Sequence, residues 1–278
     1  MRIDCHQHFW RYAPDEYGWI DDTMAGLRRD FLPPDLRPLL DATATDGCIA
    51  VQARQTSAET RFLLDLAAAA PWILGVVGWV DLRSSDVERE LDACGREPRL
   101  VGIRHIAQAE AVDFLTGDAF VRGVEALARH RLTYDLLVFP PQLPAAIELV
   151  RRLPEQRFVL DHLGKPNLRG GDLAGWTRAL RELAAAPNVA CKLSGLVTEA
   201  DWLHWTDATL RPAFEVALGA FGPDRLLFGS DWPVCLCASS YTRWHATVLA
   251  WLDGLGPATA TAILGGNAPT WYPRIAKP

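Results

Sequence analysis

The sequence lacks any apolar stretch near the ~20 residues that a membrane-spanning helix needs, and it lacks a basic excess. Its 28 Lys and Arg stand against 34 Asp and Glu, a net charge of −6. Nucleic-acid and anionic-membrane binders usually carry basic patches, so neither partner is expected. No Gly/Ser/Pro tract or charge run marks a linker, which predicts one domain over residues 1–278. The first strand pattern is not followed by Gly-x-Gly-x-x-Gly, which weakens an open dinucleotide-binding sheet. Cysteines are few and scattered: Cys5, Cys48, Cys94, Cys191, Cys235 and Cys237. Four stand singly, and Cys235-Leu-Cys237 is too tight for a zinc knuckle. They read as buried free thiols of a reducing compartment. No signal-peptide pattern opens the chain, and the expected location is the cytoplasm.

What is present is apolar and regularly spaced. Hydrophobic residues make up 49% of the chain, enough for a large core. Eight short runs read as strands: 1–8, 48–54, 73–80, 100–106, 132–138, 157–163, 189–195 and 225–231. Most are Val-, Ile- and Leu-rich without strict alternation, as parallel strands covered on both faces should be. Helical patterns separate them. Asp118 and Asp172 suit N-caps, and Gly47, Gly95 and Gly222 suit left-handed C-caps. Eight strand–helix units predict an α/β fold, a closed (β/α)8 barrel. The connection over 9–34 is unusually long. It would stand at the C-terminal mouth, and its aromatics, Trp10, Tyr12, Tyr17 and Trp19, favour an ordered lid.

Polar groups gather at the strand ends. The opening MRIDCHQH places His6 and His8 two apart, on one face of a strand. Two adjacent imidazoles are a metal-ligand arrangement, although such a pair alone is more often plain core or surface. Asp231, in GSDWP, ends the eighth strand, which in a closed barrel neighbours the first. It could complete a metal site or act as a general base; alone it could equally be an N-cap. Gln52, Arg104, His105, Asp135, Asp161, His162, Lys192 and Ser194 also end strands. Strand parity allows only one inward residue in Arg104–His105 and in Asp161–His162. Of the latter pair, His162 is expected inward, with Asp161 orienting its neighbours.

The segments IDCHQHFW, VGIRHIAQ, FVLDHLGKP, CKLSGLVTEADW and FGSDWPVC, in this order, resemble the amidohydrolase superfamily, specifically its sugar-lactonase branch. The resemblance runs from Met1 to Pro273. It implies a distorted (β/α)8 barrel with the active site at the C-terminal mouth. It further implies that a sugar-acid lactone, of the L-fucono-1,5- or L-rhamnono- type, is opened to the free acid. Asp231 would take the proton of the attacking water, His6 and His8 would be the first-strand pair, and His162 the sixth-strand histidine. The fifth strand departs from the metal-dependent pattern, with Asp135 where those members carry a histidine or carboxylated lysine.

The expected catalytic residues are therefore Asp231, His162 and His8. One divalent ion, zinc for preference, is expected on His6, His8 and Asp231, and is expected to be dispensable. Without it, protonated His162, His8 and Arg104 would polarise the carbonyl. Hydrogen bonds to substrate are expected from Arg104, His105, Gln108, Asp135 and Lys192, and an aromatic wall from Trp10 and Trp232. Trp79 is as readily plain packing. A dicarboxylate lactone would want more cationic clamps than Arg104 and Lys192 provide. Metal-dependent decarboxylation is disfavoured by the fifth strand, and a non-catalytic sugar-acid binder by Asp231 beside two histidines. A monomer or small homo-oligomer is expected.

Overall fold

The structure, a computed structural model, describes residues 1–276. Each of the eight expected runs contains a strand: β1 (Ile3–Gln7), β2 (Gly47–Val51), β3 (Ile73–Gly78), β4 (Leu100–Ile106), β5 (Thr133–Leu137), β6 (Phe158–Leu160), β7 (Val189–Leu193) and β8 (Leu226–Phe228). They pair in sequence order, and every pairing is parallel. Helices cover the outside, among them Pro33–Ala42, Ser57–Ala69, Leu143–Arg152, Ala174–Ala184 and Tyr241–Asp253. The strand residues are buried on both faces, which is why their sequences do not alternate.

Four of the five expected helix signals act differently. Gly47 opens β2 rather than capping a helix, and Gly95 caps Val87–Cys94 in a right-handed conformation. Asp118 is the first helical residue, after Gly117. Asp172 lies one residue before the N-cap, Leu173, and accepts from the Ala174 N–H at 2.9 Å. Gly222 does take a left-handed φ, +68°, after Asp207–Phe221.

The seam between β1 and β8 is irregular. β1 bulges between Asp4 and Gln7. A bulge shifts the side-chain alternation. Cys5 thereby packs into the barrel interior with Ile49, Val77 and Val159, while His6, its neighbour, also turns inward. In place of a regular ladder, Asp231 N–H donates to His6 O at 2.8 Å and His8 N–H to Trp232 O at 2.7 Å. The buried Asp4 carboxylate bridges the seam. Its Oδ1 accepts from His6 N–H at 3.1 Å and Ser230 N–H at 2.9 Å. Asp4→Ala would leave both N–H groups without this acceptor, at about 1–3 kcal/mol each. Chemical denaturation is expected to show a loss of that size, with Asp4→Asn, which keeps an acceptor, losing much less. Equal losses in the two variants would remove the clamp from the account.

The opposite end of the barrel is plugged by the C-terminal segment. Ala268, Trp271 and Tyr272 join the interior cluster. The Tyr272 hydroxyl donates to Asp135 at 2.8 Å. No helix among the described residues is long and apolar enough to cross a membrane.

Candidate active site

His6, His8 and Asp231 converge at the mouth, as their strand-end positions require. His6 Nε2 lies 3.2 Å from His8 Nε2. Asp231 Oδ1 lies 3.3 Å from His8 Nε2 and 3.6 Å from His6 Nε2. All three side chains are buried.

Their protons can be assigned from their partners. His8 Nδ1 sits 2.8 Å from the Val51 carbonyl, which only accepts, so Nδ1 carries the hydrogen. In the neutral ring His8 Nε2 is then a bare lone pair. His6 Nδ1 lies 3.2 Å from both Asp161 Oδ1 and Lys192 Nζ, and Arg104 Nη1, which can only donate, faces His6 Nε2 at 3.5 Å, which makes that nitrogen the acceptor. Burial holds His6 well below its usual pKa, against the pull of Asp161, so it is neutral. Two lone pairs and a carboxylate oxygen thus face one another with no hydrogen between them. Such a set calls for a cation. Zinc with ligands at about 2.0–2.1 Å has tetrahedral edges of about 3.3 Å, and the three observed separations match. The carboxylate on His6 Nδ1 is the partner that a ligating histidine normally has.

A second group, His6, Asp161 and His162, also lies close together. Cations of the protein already occupy its carboxylate. Lys192 Nζ is 3.0 Å from Asp161 Oδ1, and Arg104 Nη1 is 2.9 Å from Oδ2. Burial would raise Asp161, but Lys192, His6 and Arg104 hold it well below the usual carboxylate range. Lys192 also pairs with Asp135. Asp135 and Lys192 are fully buried beneath His6. They form a polar floor that orients His6, and they do not border the cavity where substrate would be met.

The cavity is about 380 Å³ in volume, within the range of small-molecule sites. His8, Arg104, Gln108, His162 and Asp231 border it, as do Trp19, Met24, Ile106, Leu137, Phe139, Lys165, Glu199, Trp202 and Val234. Arg104 is inward and His105 outward, as parity requires. His105 accepts or donates at Glu110, 3.0 Å away, and stacks on Phe114. Trp10 and Trp232 do not form the aromatic wall. Both are buried beside Phe31, and Trp10 anchors the 9–34 segment through Nε1–H to the Arg29 carbonyl at 2.9 Å. Trp19, edge-on to Trp10 at 5.8 Å, stands over the cavity instead. The aromatic run of that segment held the signal; only packing decides which ring faces the cavity.

Parity failed at Asp161–His162 for a local reason. β6 ends at Leu160, and His162, Leu163, Gly164 and Lys165 all take φ between +53° and +68°. This left-handed turn swings His162 to the same centre that Asp161 reaches from the strand end. His162 Nδ1 is 2.9 Å from Ser194 Oγ, and Nε2 is 3.9 Å from Asp231 Oδ1. Burial keeps His162 well below its usual pKa despite Asp231. It is therefore neutral, which corrects the expectation of a protonated His162. All six cysteines are free.

An eight-stranded barrel with paired imidazoles and a carboxylate at its mouth is an arrangement that can hold a metal ion and activate water. The sequence profile of the amidohydrolase family matches residues 3–274. The chain belongs to that family. It is 47% identical over 284 residues to an L-fucono-1,5-lactonase of Burkholderia multivorans, covering 98% of this chain and 96% of the relative. It is 40% identical to an L-fucono-1,5-lactonase of Burkholderia ambifaria, covering 100% and 97%. A crystal structure of an amidohydrolase from Burkholderia multivorans with bound zinc superposes with a TM-score of 0.95 at 46% identity, covering 98% of this chain and 99% of that one.

Proposed function

We infer that the protein is a hydrolase that opens a sugar-acid lactone to the free acid, an L-fucono-1,5-lactone for preference. The observation that carries this is Asp231, an ionised carboxylate beside two bare imidazole nitrogens at the floor of a monosaccharide-sized cavity. The full-length likeness to two L-fucono-1,5-lactonases supports the substrate class. A lactone is an activated ester, so a base and charge stabilisation at the carbonyl suffice.

Asp231 accepts the proton of the attacking water. Arg104 borders the cavity and brings positive charge toward the developing oxyanion, while its Nε–H is buried without a partner. As the tetrahedral intermediate collapses, the acyl–oxygen bond of the ring breaks. The proton held by Asp231 passes to the leaving ring oxygen, with His162 Nε2 close enough to relay it. A divalent ion on His6, His8 and Asp231, zinc for preference, would add Lewis acidity toward the lactone carbonyl. The 9–34 segment acts as the lid, with Trp19 and Met24 over the bound ring.

A dicarboxylate lactone is disfavoured. Asp161 neutralises Arg104 and Asp135 neutralises Lys192, which leaves too little free positive charge for two carboxylates. The test is acid release from a panel of sugar-acid lactones, a dicarboxylate lactone and a simple anilide. Fastest turnover on a six-carbon sugar-acid lactone is expected. Faster turnover of the anilide or dicarboxylate would overturn the reading.

A further inference from the structure

We propose that Lys165 and Glu199 form one subsite that reads the ring hydroxyls of the lactone, and so set its specificity. The proposal rests on the lactonase reading above. Lys165 Nζ and Glu199 Oε1 are 2.6 Å apart, and the side chains are 16% and 17% exposed. Both border the cavity that holds Asp231. They come from different elements: Lys165 ends the turn after β6, and Glu199 ends the short helix Leu196–Glu199 after β7.

Much of the cavity lining is apolar. Ile106, Leu137, Phe139, Trp202 and Val234 line the same cavity, in which Gln108 and Thr198 are the uncharged polar side chains besides the histidines. Apolar walls suit the faces of a sugar ring but offer nothing to its hydroxyls. A Lys–Glu pair offers both a charged donor and a charged acceptor, which is what a vicinal diol needs.

The backbone supplies an independent argument. Lys165 is held at φ +53° at the end of four consecutive left-handed residues. Such conformations are costly for residues other than glycine, and they persist where a site needs them. A partly exposed ion pair returns little stability, so the pair by itself does not account for the turn. The turn aims His162 and Lys165 into one cavity, the first toward the reacting carbonyl and the second toward the hydroxyls.

The test compares a polyhydroxylated six-carbon lactone with the unsubstituted lactone of the same ring size. Wild type, Lys165→Met and Glu199→Gln are assayed on both. Where the unsubstituted lactone turns over too slowly, its inhibition constant replaces kcat/KM. The expected result is that the wild-type preference for the hydroxylated ring falls about 10- to 100-fold in each variant, the scale of a lost hydrogen bond to a charged group. The change should lie mainly in KM. The sugar-acid product should also bind more weakly by calorimetry. Equal losses on both lactones, or no loss on either, would overturn the subsite. If the wild type opened no lactone at all, the lactonase reading itself would fail. If Lys165→Met does not fold, Glu199→Gln, on an ordinary helix end, carries the test.

Discussion

Asp231→Asn is expected to lower the turnover number for lactone hydrolysis by about 10²–10⁴-fold, the contribution of a positioned general base. The amide cannot accept a proton from water at neutral pH. Its shape is nearly that of the carboxylate, and the seam contact from Asp231 N–H to His6 O does not involve the side chain. The fold should therefore survive, and a thermal scan beside the assay checks it. Asp231 is also a ligand candidate, so zinc content must be measured in the same preparation. A zinc-loaded, folded Asn variant that still fails would assign the loss to proton transfer. Near-normal turnover by that variant would remove Asp231 from the mechanism.

The second large effect is expected from the metal. Protein stripped with a chelator should take up one zinc per chain by elemental analysis, and His6→Ala should take up far less. Zinc at 100 times its dissociation constant should stabilise the fold by about 2.7 kcal/mol, read as a rise in Tm. Polarisation of a carbonyl by a metal is worth several kcal/mol. At about 1.4 kcal/mol per tenfold, turnover should fall on the order of 10²–10³-fold on stripping. Sequence reasoning points to a dispensable ion, because the fifth strand carries Asp135 and a lactone is reactive. The charges around the site argue for stronger dependence. His6 and His162 are held neutral by burial, and Arg104 is already shared with Asp161 and Gln52. Retained turnover in fully stripped protein would restore the dispensable ion.

Stoichiometry bears on the same point. Lys192 and Arg104 hold both oxygens of Asp161, the carboxylate that a second ion beside His162 would need. One ion per chain is therefore the expected stoichiometry. A second zinc bound with comparable affinity would show that the Lys192–Asp161 contact yields.

Several features were legible without a structure because they are local. Parallel strands buried on both faces must be apolar throughout, so eight Val- and Leu-rich runs could be counted directly. A histidine pair at i, i+2 shares a strand face whatever surrounds it. Closure of eight strands then forces Asp231 beside that pair, across 223 residues. Period-two alternation likewise allowed only one of Arg104 and His105 to face inward, and the folded chain shows that it is Arg104.

What alternation could not give was decided where the backbone leaves the regular strand. The bulge between Asp4 and Gln7 turns both Cys5 and His6 inward, and no residue in IDCHQ signals it. The left-handed run from His162 to Lys165 brings Asp161 and His162 to one centre and aims Lys165 into the cavity. Asp135 and Lys192 lie on inward strand positions, as expected, but depth decides their role. They lie below the mouth, where Tyr272 from the far end of the chain meets them. Trp10 and Trp232 are buried because the returning strand pair Trp10–Phe31 folds the first loop over them. Which side a strand residue faces follows from covalent geometry and one period. How deep it lies, and what meets it there, depends on the crowding of distant segments, which only the folded chain determines.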